Sequence, residues 1–296
     1  MSHHSTQVTR SVSAKASSDV AMAKDRLNLT IPYHAFMVAA AFVWFVPILW
    51  MISMSVTPNS VLQTNSSTLF HSELTLANLL GVFRTGYLAR WFLNSIVVTS
   101  VTTALTVAFC AMSGYAFARI KFPGRRLLYV AVLAGLMVPK EAMFIPLYLM
   151  FSGFQQDNTY QALILPRLAA PLGVFIMTQF FSKIPVELEE AARVDGASRW
   201  RTFFQIMLPL ARPAMASLAI FTFVLTWNDY LWPLVISTHT EWFTVTTGLA
   251  SLQSNYPSDF GDLMARGLVG SLPLLVIFLI FQRQLIRGIT LGSGEK

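Results

Sequence analysis

Six apolar runs, each near the roughly 20 residues that a helix needs to cross a bilayer, leave few folds open to this chain. They cover about His34–Val56, Trp91–Ala118, Leu127–Phe151, Tyr160–Phe181, Pro213–Ile236 and Arg266–Arg287, with polar interruptions in the third and fourth. Backbone groups in hydrocarbon must find partners inside their own segment, so runs of this length are read as helices. The expected fold is therefore an all-α membrane protein with six transmembrane helices. Only 12% of the 296 residues are charged and mean hydropathy is +0.56, where a soluble domain carries about 25% charged residues. Residues 1–33 are polar and basic and read as a disordered cytoplasmic tail. The first apolar run is longer than a signal-peptide core of about 7–15 residues and is followed by Thr57-Pro58-Asn59, so it reads as an uncleaved span.

The loops set the orientation. Sixteen of the 21 Lys and Arg fall in the N-terminal tail, the second-to-third loop, the fourth-to-fifth loop and the C-terminus. The intervening loops carry Glu73, Asp157, Glu241, Asp259 and Asp262, with Arg84 and Arg90. By the positive-inside rule both termini are cytoplasmic. The net charge of +7 is thus a topology signal, and no basic face suited to nucleic acid is present. One cysteine, Cys110, excludes a disulfide framework and reads as packing within a span. No metal site is expected, His3 and His4 in the tail included. No catalytic constellation is visible either.

The most patterned polar segment runs from Ser182 to Pro213. Three acids, Glu187, Glu189 and Glu190, crowd the start of a short helix, where the helix dipole favours them. Pro185 suits its first position, and Asp195-Gly196 ends it, because glycine accepts a left-handed backbone. Ser198 can cap a second helix reaching Leu208, after which Pro209 bends the chain back towards the membrane. Two helices at about 185–208 thus lie on the cytoplasmic surface.

Glu190-Ala191-Ala192, Asp195-Gly196-Ala197 and Ile206-Met207-Leu208-Pro209 resemble the EAA motif of ABC importer permeases. Thr226-Trp227-Asn228-Asp229-Tyr230-Leu231-Trp232-Pro233 and Gln282-Arg283-Gln284-Leu285-Ile286-Arg287-Gly288-Ile289-Thr290 are similar to runs in the maltose-type sugar permeases of that family. The likeness covers roughly residues 34–290, the expected permease domain, and leaves 291–296 as a C-terminal tail. It implies a type I importer transmembrane fold in a bacterial inner membrane. It also implies a second related permease, two ATPase subunits and an extracytoplasmic substrate-binding protein as partners. On that resemblance Glu190, Ala191, Ala192, Asp195, Gly196, Ala197, Ile206, Leu208 and Pro209 couple to an ATPase. Glu190 would pair with a basic residue there, and Gly196 would permit the turn. The chain lacks a P-loop of its own: Gly81-Val82-Phe83-Arg84-Thr85-Gly86 is followed by Tyr87-Leu88 instead of Lys-Ser/Thr. No cofactor is therefore expected in this chain, ATP and magnesium being held by the partners.

Four charges stand inside the apolar runs: Lys140, Glu141, Arg167 and Asp229. Each costs on the order of 2.5–3.5 kcal/mol at the bilayer centre unless it faces a cavity or a partner. They suit either an ion-pair network joining the third, fourth and fifth spans or the lining of a substrate path. Trp227, Asn228, Asp229 and Trp232 could serve a sugar, with hydroxyls on the polar groups and apolar ring faces on the indoles, or could form the outer aromatic belt. The expected cargo is a carbohydrate or related polyol; an anionic sugar derivative or glycerol phosphate is the alternative. An ion-coupled secondary transporter using Glu141 and Asp229 is the competitor from another class.

Overall fold

The computed structural model describes residues 33–64, 72–84, 86–252 and 259–292, with side chains up to residue 282. The expected N-terminal tail, and the last residues of the expected C-terminal tail, lie outside them. Among the described residues there are helices and turns but no strand. Helix α1 (Tyr33–Ser55) is apolar and buried only at its last turn, around Met54. Two short helices, α2 (Asn59–Thr64) and α3 (Ala77–Phe83), precede the central α4 (Leu88–Arg119). At 32 residues and about 1.5 Å per residue, α4 is roughly 48 Å long, more than a bilayer core.

Beyond α4 the apolar runs are broken, and each break has a local cause. Helix α5 (Arg125–Ala134) ends in a 3-10 turn (Gly135–Met137), and α6 (Phe144–Gly153) begins after a second one (Lys140–Met143); the two arms are bent by 95°. Val138 sits before Pro139 and is extended (φ −84°, ψ 117°), as the proline ring requires. Helix α7 (Tyr160–Ile164) and the 3-10 turn Leu165–Leu168 bend by 46° into α8 (Pro171–Lys183), where Ala170 before Pro171 leaves the helical region for the same reason.

Then come α9 (Glu187–Val194), α10 (Arg199–Thr202), a π-helical turn (Phe203–Met207) and α11 (Leu208–Leu210). The wide turn falls where Pro209 has no N–H to offer the carbonyl of Gln205. The chain turns by 73° at Ala211 into α12 (Arg212–Trp227). The expected fifth span, Pro213–Ile236, is not one helix: α12 stops at Trp227 and α13 (Leu231–Ile236) follows three residues later. Pro233 has no N–H to offer the carbonyl of Asp229, and the Asp229 carboxylate accepts from the amide of Trp232 at 3.5 Å, so the helix restarts rather than runs on. Helix α14 (Val245–Ser251) and the long α15 (Phe260–Gly292) are the last described elements. The described residues thus hold three continuous helices long and apolar enough to cross a membrane, and up to six spans if each bent pair is one.

Helix α4 packs mainly on α8 and α12, and α12 on α15. Small residues let the first of these contacts close. A Cβ on Gly114 would stand 2.5 Å from Cβ of Met177, and one on Gly173 would stand 2.6 Å from the sulfur of buried Cys110. Backbones approach this closely in membrane bundles because packing, rather than water exclusion, holds the helices together. At the other end of α4, polar side chains strap residues 240–245 down. The indole of Trp91 donates to the carbonyl of Thr240 at 2.7 Å, Asn94 donates to the carbonyls of Glu241 and Phe243, and Ser95 accepts from the amide of Val245. Gly248 lies against the face of Trp91, with no room for a Cβ.

Candidate functional site

The polar segment after α8 forms a helix, a tight turn and a second helix held against the end of α4. Helix α9 starts at Glu187, two residues later than the expected start at Pro185. It ends in a Schellman turn: the amide of Ala197 donates to the carbonyl of Ala192 at 2.9 Å, and that of Gly196 to Arg193 at 3.1 Å. Gly196 adopts φ +76° with open space where a Cβ would go, so the constraint on this residue is conformational rather than steric. Ser198 caps α10, its hydroxyl accepting from the amide of Arg201 at 3.3 Å.

The three acids of α9 part company. Glu187 and Glu190 are exposed, whereas Glu189 turns inward, its carboxylate 3.1 Å from Nε of Arg119. Both side chains are nearly buried, at 9% and 12% exposure. The same guanidinium donates to the carbonyl of Phe181 at 2.7 Å and to that of Ile184, and the hydroxyl of Tyr115 donates to Glu189 at 3.4 Å. Arg119 therefore ties the last turn of α4 to the end of α8 and to the start of α9. The sequence reads Arg119 as a loop charge and Glu189 as one of three acids favoured by the helix dipole, and does not single out Tyr115; nothing local signals a pairing across 70 positions.

The elbow adds a second tie. Phe203 and Met207 of the π-helical turn and Ala211 share one buried cluster with Val107, Ala111 and Tyr115 of α4, Met177 and Phe181 of α8, and Leu218 of α12. Of the expected coupling residues, Ala192 is buried; Ala197, Ile206, Leu208 and Pro209 are partly buried; and Glu190, Ala191, Asp195 and Gly196 are exposed. The exposed ones lie around one turn, open to a partner.

The four charges within the apolar runs separate into two pairs of different kind. Arg167, on the 3-10 turn after α7, forms an ion pair with Asp229, in the break between α12 and α13. It joins the interruptions of the fourth and fifth runs. Lys140 and Glu141 are exposed in the sharp bend between α5 and α6 and take no part in the ion pairs of the described residues. Trp227 and Trp232 are each only 2% exposed. The indole of Trp227 stacks on Phe223 and donates to the carbonyl of Gly270 at 3.1 Å. That of Trp232 packs on Phe144 and Phe151 and donates to the carbonyl of Ala162 at 2.9 Å. The break at Asn228–Tyr230 sends the two indoles to different neighbours, so no aromatic cluster forms there; Asn228 stays exposed. Among the described residues, no group of three His, Cys, Asp or Glu could hold a metal ion.

Residues 108–290 match the family of binding-protein-dependent transport system inner membrane components. The chain is 38% identical over 256 residues to the arabinooligosaccharides transport system permease protein of Halalkalibacterium halodurans, covering 86% of this chain and 92% of that one. It is 34% identical over 264 residues to the diacetylchitobiose uptake system permease protein of Streptomyces coelicolor, covering 88% and 87%. It is 33% identical over 258 residues to the trehalose/maltose transport system permease protein of Thermococcus litoralis, covering 86% and 92%. The fold is that of a chain in the crystal structure of a bacterial ABC transporter involved in the import of the acidic polysaccharide alginate. The TM-score is 0.74 at 20% identity, covering 88% of this chain and 97% of that chain.

Proposed function

The chain belongs to the family of binding-protein-dependent transport system inner membrane components, and from that premise we propose that it is one permease subunit of an ABC importer for an oligosaccharide. The relatives named above are permease proteins for saccharides, and like them this chain is a transport subunit rather than an enzyme. A second, related permease completes the translocation path. Two ATPase subunits bind and hydrolyse ATP with magnesium, and an extracytoplasmic binding protein delivers the cargo. Both termini are cytoplasmic in this reading, which puts the α9–α10 turn on the ATPase side.

The observation that carries the coupling role is the double anchorage of that turn. Closure of an ATPase against Glu190 and the Asp195–Ala197 turn moves α9. The Glu189–Arg119 pair passes the movement to α4, and the elbow core passes it to α8 and α12. Alternating access needs such a link, because a ligand or nucleotide shifts a conformational equilibrium only by its differential interaction with the two states. On the path side, the exposed Lys140, Glu141 and Asn228 are the residues we assign to contact with the cargo or with the sister subunit across the path. Trp227, Trp232 and Asp229 support them from behind by fixing the helix breaks.

Gly196→Leu tests the coupling. A bulky side chain at φ +76° costs on the order of 1–3 kcal/mol locally, enough to unwind the turn but not to unfold the bundle. The expected result is a subunit inserted and assembled at wild-type level with saccharide uptake abolished. Wild-type uptake by that variant would defeat the docking assignment.

A further inference from the structure

The last turns of α4 and the elbow after α9 enclose an open cleft of about 230 Å3. Met112, Ala116 and Ile120 form one wall, Trp200 and Phe203 the other, and Arg199 lies at the rim. The cleft has room for several waters but offers them few polar partners. It continues into the span: Phe109, Met112 and Ala116 recur at three- and four-residue steps and share a strip of α4, with Ile120 just past the helix end. Phe109 and Met112 on that strip are exposed in this chain, within a helix long and apolar enough to cross the bilayer. The mouth is basic. Arg199 makes no ion pair among the described residues, and the exposed Lys121 follows Ile120 directly. Glu189, the acid lining the small void next to Arg199, is already held by Arg119. Beside the cleft Trp200, 67% exposed, stacks on exposed Phe204, an aromatic pair of the kind that settles at the membrane–water boundary.

We propose that this cleft binds one anionic phospholipid, its phosphate on Arg199 and one acyl chain along the Phe109–Met112–Ala116 strip. An apolar track leading out of the hydrocarbon and ending at an unpaired guanidinium matches that ligand at both ends. Guanidinium suits phosphate because its planar fork donates two parallel hydrogen bonds. A soluble protein partner would not account for the part of the strip that lies inside the span. The proposal rests on α4 crossing the bilayer and not on the coupling role of α9, so the two fail separately.

The test is native mass spectrometry of the importer purified with its partner chains, after delipidation and titration with phosphatidylglycerol or phosphatidylcholine. The wild-type complex is expected to keep one phosphatidylglycerol per copy of this chain. Arg199→Glu should lower that affinity roughly tenfold or more, since a basic residue near the membrane surface becomes an acidic one. Arg199→Lys should keep most of it. Ala116→Phe, which fills the cleft without changing charge, should lose the lipid as well. Equal retention by all variants, or phosphatidylcholine held as tightly as phosphatidylglycerol, would overturn the assignment. So would variants that shed an ATPase subunit or the second permease at unchanged lipid content, which would mark the cleft as a protein interface. Each complex is weighed intact, so a failure of assembly is read separately from a loss of lipid.

Discussion

Gly114→Leu is expected to eliminate the folded subunit. Even a methyl group there would stand 2.5 Å from Cβ of Met177, 2.8 Å from its carbonyl carbon and 2.9 Å from the amide of Thr178. Two of the three contacts are backbone, so no rotamer change relieves them. The crossing of α4 and α8 would have to separate by the thickness of a side chain. That would also pull apart the cluster of Tyr115, Phe181, Phe203 and Met207 beneath the elbow. Overpacking a formed core costs about 1–3 kcal/mol when side chains can yield, and more when only backbone stands in the way. Membrane-inserted protein that is degraded or recovered without partner chains is the predicted outcome, read by immunoblot and co-purification. Wild-type amounts of assembled complex would show that the α4–α8 contact is looser than described.

Arg119→Ala has the second large effect and a different signature. It leaves the Glu189 carboxylate, 12% exposed, without its counter-charge, and frees the carbonyls of Phe181 and Ile184. Breaking a buried pair by removing one partner costs about 3–5 kcal/mol, while removing both charges costs much less. The single variant should therefore melt markedly earlier and lose uptake. The double variant Arg119→Met with Glu189→Gln should recover most of the stability but little of the transport, because the strut between α4 and α9 is still missing. Thermal unfolding and uptake assays on the two variants separate the roles. Uptake by Arg119→Ala equal to wild type would remove the pair from the coupling route.

Helical content and the apolar runs were legible in the sequence because hydropathy alone decides them. Gly196 was legible too, since Asp-Gly after a short acidic helix leaves few alternatives. The run 213–236 looks continuous because apolar residues dominate on both sides of Asn228-Asp229, and hydropathy does not register that Pro233 has no N–H for the carbonyl of Asp229. That one break decides where Trp227 and Trp232 point. Neighbours in a motif therefore ended as anchors on α15 and on α7, at Gly270 and Ala162. Glu189 and Glu190 differ only in helical phase, and phase cannot be assigned until the first residue of α9 is known. The strap at residues 240–245 follows neither helical nor strand periodicity; it is set by Trp91, Asn94 and Ser95, some 150 positions earlier.

The most direct test of the whole account is affinity purification of this chain from gently solubilised native membranes, with mass spectrometry of the chains that accompany it. A second permease and a P-loop ATPase in stoichiometric amounts are the predicted companions. Recovery of the chain alone, under conditions that keep other membrane complexes whole, would contradict it.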